Sequence, residues 1–244
     1  MKDVVGISQK IKRMWMDQVL DAVIGGVDES RLRGLLDAEM RDGLPGATAR
    51  AKRVSIVLRI WSNVSPPFRP LRDRALALVS DITRKERLWL HWGMTALTYP
   101  FFRDTAEIVG RLISLQGDVT ATQVQVRIAT TWGDRETSLR AAKYLLNTMT
   151  DWEVLRTTNT RGRFVAAGSE STVNTELQMW LLEALLTASS ADEIEVGHLL
   201  RLPGAFPFAL DVGVAQLRRH KRFDVHRQGL DTDLIAVTSA ERNL

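Results

Sequence analysis

The sequence predicts a mainly α-helical protein: an N-terminal helical bundle followed by one or two smaller modules that add short β-hairpins to helices. Three observations predict it. Apolar residues recur at helical spacing through most of the first 115 or so residues. Strand-like alternation appears only in short runs beyond residue 150. Those runs flank polar turns containing Gly, Asn or Asp. The expected division is a bundle over 1–117, a first module over 118–170 and a second over 171–244.

The elements follow in order. Residues 4–24 place Val4, Ile7, Ile11, Met14, Trp15, Gln18, Val19, Ala22 and Val23 at roughly helical spacing, and Gly25-Gly26 ends that run. Asp28 suits the N-cap of a second helix through Leu32, Leu35, Leu36 and Met40 to Gly43. A third helix over 48–63 groups Val54, Val57, Leu58 and Trp61, with Arg50, Lys52, Arg53 and Arg59 largely off that stripe. The prolines at 66, 67 and 70 break the chain before a fourth helix over 71–80. A fifth starts at Asp81 or Thr83 and runs past Trp92 and Leu97; residues 98–104 interrupt it before a sixth over 106–115.

After Gly117 the pattern changes. Helices are expected over 121–130 and 135–150, joined by the tight turn Trp132-Gly133-Asp134, with Asp134 available as a cap. The second places Leu139, Ala142, Leu146 and Met149 inward and Arg135, Ser138, Arg140 and Lys143 outward. Strand-like residues 152–156, the polar turn 157–162 and a return over 163–167 complete it. Helix, turn, helix and hairpin is the order of a winged helix-turn-helix. Such a fold offers a polar helix to the major groove and cations at its wing tip to phosphate or the minor groove, here Arg161 and Arg163.

The order recurs beyond residue 170. Helices over 175–189, 191–200 and 208–220 precede a second hairpin, in which 223–226 and 234–237 flank Arg227-Gln228-Gly229-Leu230-Asp231. Arg218, Arg219, Lys221 and Arg222 cluster at its entrance, where cations also suit a helix C-terminus.

Net charge is only +4, so its distribution matters more than its size. Residues 50–87 hold ten Lys/Arg against three Asp/Glu, residues 135–163 six against three, and residues 201–227 six against two. Double-stranded DNA is the partner these segments suggest. The candidate contacts are Arg135, Ser138, Arg140, Lys143, Arg161 and Arg163, with Arg50, Lys52 and Arg53 and the group Arg218, Arg219, Lys221 and Arg222 in support. A structural adaptor for protein partners, or an RNA-binding helical protein using residues 50–87, are the competing readings.

Residues 87–156 resemble the BrxA family of BREX phage-defence systems. The likeness rests on Trp89-Leu90-His91-Trp92, on Tyr99-Pro100-Phe101-Phe102-Arg103-Asp104 with the helix through Glu107, and on Ser138, Leu139, Ala142 and Leu145-Leu146. The hairpin Val225-His226-Arg227-Gln228-Gly229-Leu230-Asp231 is similar too. The resemblance implies a helical accessory protein with winged-helix features that binds DNA beside a methyltransferase, an ATPase and a phosphatase-like protein.

An enzyme is not expected. The sequence has no phosphate-binding loop, dinucleotide fingerprint or nucleophile elbow. The four histidines, His91, His198, His220 and His226, are scattered, so no metal or cofactor is expected. Zero cysteines exclude disulfides and thiolate metal sites. No leader-like apolar core opens the chain and no run is long enough to span a bilayer, so a cytoplasmic protein is expected. Trp15, Trp61, Trp89, Trp92 and Trp180 are assigned to the core, and His91 to a satisfied position beside them.

Overall fold

The computed structural model describes residues 5–189, 191–229 and 232–238. Val4 and the hairpin-tip residues Leu230 and Asp231 therefore lie outside the described residues. The rest is mainly helical, with two small three-stranded antiparallel sheets.

Six helices come first: α1 (Arg13–Ile24), α2 (Glu29–Met40), α3 (Ala47–Trp61), α4 (Arg69–Leu78), α5 (Arg87–Thr98) and α6 (Pro100–Gln116). Asp28 caps α2 by accepting from Arg31 N–H at 3.0 Å. Two expectations are corrected. Residues 5–12 precede α1 as a non-helical strap, although Ile7 and Ile11 are buried. The strap is held by the far end of a later helix: Ile11 N–H donates to Thr148 Oγ1 at 3.0 Å, and Trp152 Nε1 donates to Ile11 C=O at 3.1 Å. Those tertiary bonds replace the intrahelical ones that apolar spacing had suggested. Pro100 likewise opens α6 instead of interrupting it, because a proline at the first helical position forfeits only an N–H that has no helical partner. Gly117, at φ +79°, ends α6 in the left-handed region.

Next come β1 (Asp118–Thr120), α7 (Ala121–Trp132), α8 (Glu136–Asp151), β2 (Leu155–Thr157) and β3 (Arg163–Ala166). A capping box starts α7: Thr120 Oγ1 accepts from Gln123 N–H, and Gln123 Oε1 accepts from Thr120 N–H. Arg135, not Asp134, occupies the N-cap of α8, and its side chain makes no capping bond. The strand β1, absent from the sequence expectation, pairs with β3, which pairs with β2.

The remaining chain forms α9 (Thr175–Ala188), β4 (Glu193–Glu195), α10 (Val196–Leu199), α11 (Val214–Arg219), β5 (Phe223–Gln228) and β6 (Thr232–Val237). Its strand order, β4-β6-β5, repeats the β1-β3-β2 order of the first sheet. The two stretches α6–β3 and α9–β6 thus share one succession of elements and one pairing scheme. They differ in proportion, because α10 and α11 have four and six residues where α7 and α8 have twelve and sixteen.

A large apolar core runs from Ile7 through the bundle, the first sheet and one face of α9 to Phe208. All five tryptophans assigned to it are buried. A smaller core, with Met179, Leu182 and Leu186 from the other side of α9, lies beneath the second sheet. The connector between α10 and α11 reaches back into the first core. Trp92 Nε1 donates to Gly204 C=O at 2.9 Å, and the Phe208 ring lies 4.5 Å from Trp89 and 5.6 Å from Trp92. Among the described residues no helix is long and apolar enough to cross a membrane.

Candidate nucleic-acid interface

Helix α8 buries Ala141, Ala142, Leu145, Leu146 and Met149, which sets the rotation of the whole helix. Glu136, Arg140, Lys143 and Asn147, at spacings of four, three and four, then form one exposed stripe. Ser138 falls on the other side. It is 1% exposed and faces the core, so it leaves the set of residues that a ligand could touch.

The β2–β3 hairpin adds a second cationic feature. Phe164 is buried, so its strand neighbours Arg163 and Val165 point to the opposite face of the sheet. Arg156 lies opposite Val165 and shares that outer face. Sequence reasoning missed Arg156; the alternation Leu155 in, Arg156 out was the signal. The turn between the strands closes at Gly162, φ +75°, and exposes Arg161.

The cations differ in how far the protein already uses them. Arg140 pairs with Glu136 one turn back, and Arg163 pairs with Asp118 at 2.7 Å. Arg135, Lys143, Arg156 and Arg161 are exposed and carry no ion pair among the described residues.

The basic segment 50–87 is largely committed to the fold. Arg50 is only 8% exposed; its Nε donates to Asp37 at 2.8 Å and its Nη1 to the carbonyls of Leu44 and Pro45. That guanidinium fastens the α2–α3 turn and cannot reach a ligand. It also holds the Asp37 carboxyl below the usual carboxylate range. Arg53 is half-buried and donates to Lys10 C=O at 3.3 Å, and burial lowers its pKa. Arg74, Arg84, Lys85 and Arg87 reach Glu183, Asp17, Glu170 and Asp21 respectively. Arg69 and Arg72 close on Val64 C=O and Asp73 nearby. Of the segment's ten cations, Lys52 and Arg59 are left exposed with no such bond among the described residues.

In the second module Arg218 pairs with Asp233 at 2.8 Å, and Arg219 Nε donates to Ala215 C=O. Lys221 and Arg222 line a cleft of about 260 Å³ against α4 and α9, with Trp180 and His220. His220 faces Glu176 and His226 faces Glu193, both at 3.4 Å.

A buried acid–base pair lies elsewhere. His91 Nε2 stands 3.0 Å from Asp17 Oδ1, and Trp61 Nε1 donates to His91 Nδ1 at 3.1 Å. His91 is fully buried, out of reach of a substrate. No protein-family model, curated protein or solved structure matches the chain.

Proposed function

We propose that this protein binds duplex DNA through a winged helix-turn-helix formed by α6–β3, with α8 presented to the major groove and the β2–β3 hairpin as its wing. The observation that carries this reading is the set of four exposed cations that have no carboxylate partner among the described residues, Arg135 at the N-cap of α8, Lys143 on α8, and Arg156 and Arg161 on the hairpin. Supporting it, the strand order β1-β3-β2 joins the hairpin to the strand that leads into α7, the arrangement a wing requires. The stretch α9–β6 is a second, reduced copy, whose Arg218 is neutralised by Asp233. In this reading the protein is a non-enzymatic accessory of a BREX-like phage-defence system. Its resemblance to the BrxA family suggests a methyltransferase, an ATPase and a phosphatase-like protein as its companions.

Fluorescence anisotropy with a labelled duplex tests it. Neutralising four phosphates predicts a slope of about −3.6 in log affinity against log salt, which is about a hundredfold loss between about 50 and 200 mM. Replacing Arg135, Lys143 and Arg161 together by Gln should weaken binding and flatten that slope. Absence of duplex binding at about 50 mM salt rejects the proposal.

A further inference from the structure

Lys52 and Arg59, the two cations of the basic segment left exposed with no bond among the described residues, line the same groove. Its volume is about 430 Å³. One wall is the face of α3 that carries Thr48, Lys52, Ser55 and Arg59; the other is the strap at Gly6 and Ser8. Positions 48, 52, 55 and 59 recur at helical spacing, so two hydroxyls and two cations make a continuous polar stripe. Among the described residues no carboxylate lines the groove.

The spacing decides what this stripe can hold. Seven residues of helix separate the two cations by about 10 Å along the axis, too far for both to converge on one phosphate. They suit successive charges of an extended polyanion, with Ser55 donating between them, the residue types that commonly contact nucleic-acid backbones. A site for a small ligand would enclose it, whereas Thr48, Lys52, Ser55 and Arg59 are all exposed. The strap that forms one wall runs on to Ile11, whose N–H donates to Thr148 Oγ1 of α8.

We infer that this groove is a second phosphodiester-binding site, which holds the DNA backbone beside the segment engaged by α8. The inference rests on the DNA-binding reading above, and its test separates the two. Duplex titrations at several salt concentrations compare the wild-type protein with the double variant Lys52→Gln/Arg59→Gln. Losing two phosphate contacts should reduce the magnitude of the salt slope by about 1.8. The charge-keeping pair Lys52→Arg/Arg59→Lys should restore it. An unchanged slope in the Gln variant, with wild-type binding intact, overturns the groove and leaves α8 as the contact. Failure of the wild-type protein to bind any duplex overturns both. A labelling measurement needs no variant: acylation of the Lys52 amine, read by mass spectrometry, should fall when duplex is added. Equal labelling with and without duplex overturns the inference. Protection by structured RNA but not by duplex does so too, and assigns the groove to RNA.

Discussion

Trp61 can only donate a hydrogen bond through Nε1, so its contact fixes the tautomer of His91. Nδ1 must be the acceptor, and Nε2 carries the proton that it donates to Asp17. Burial pushes the His91 pKa below its usual value of 6.5, outweighing the pull of the Asp17 hydrogen bond and charge. Burial alone would raise the Asp17 carboxyl, but the His91 hydrogen bond and the charges around it leave the carboxyl below the usual 3.8. A neutral imidazole with a depressed pKa stabilises the fold fully above about pH 6.5, and that contribution fades as pH falls toward the folded value. Replacing His91 by Phe leaves the Asp17 carboxylate with Arg84 and Arg87 but without its buried donor, and strands the Trp61 N–H, which should cost about 2–3 kcal/mol near neutral pH. Because the wild-type protein loses stability on acidification and the variant lacks that titration, the gap between them should narrow from pH 7.5 to 5.5. Denaturant melts at both values check this; an equal gap rejects the assignment. The burial of His91 was legible beforehand from its place between two tryptophans. Its partner Asp17, 74 residues away, was not. Arg50 and Ser138 show the same limit, because a cation on a polar stripe gives no sign that a distant carboxylate and two carbonyls await it.

Some local signals gave the expected result, with Asp28 capping α2, Gly117 ending α6 and the hairpin closing at Gly162. Others did not: Asp134 does not cap α8, residues 193–195 form β4 instead of opening a helix, and α11 starts only at Val214. The sequence was silent where a distant surface decided the outcome, as in the strap, whose backbone bonds lie 137 and 141 residues away. Two helical glycines show that contrast. In α2 a methyl group added at Gly34 would meet nothing within 4 Å, so Gly34→Ala should stabilise by up to about 1 kcal/mol through helix propensity. In α6 the same methyl at Gly110 would lie 2.0 Å from the backbone oxygen of Pro203 and 2.9 Å from Phe206 Cβ. Backbone cannot rotate aside as a side chain can, so Gly110→Ala should destabilise by about 1–3 kcal/mol despite the same propensity gain. Thermal melts of the two variants should therefore move in opposite directions. If both midpoints rise, the connector does not press on α6 as described.

At the scale of the whole molecule, α9 decides whether the chain can be divided. It is buried nearly all round, as expected for a helix between two cores. Leu177, Trp180, Leu181, Ala184 and Leu185 belong to the large core, and Met179, Leu182 and Leu186 to the small one. Trp180 reaches farthest, donating to Leu71 C=O at 2.9 Å while a Cβ at Gly93 would fall 2.6 Å from its ring. The connector that follows supplies Phe208 to the rings of Trp89 and Trp92. A chain ending at residue 170 would keep every element of the first module but lose α9 and Phe208, exposing the faces of α4 and α5 that they cover. At about 25 cal/mol per Å², uncovering even two large aromatics and several leucines outweighs the few kcal/mol by which a typical domain is stable. The truncated protein 1–170 should therefore bind a hydrophobic dye, show weakened near-ultraviolet dichroism from its tryptophans and melt without a sharp transition. A cooperative melt and a native-like tryptophan signal would instead establish the first module and bundle as an independent unit, able to reach DNA without the second.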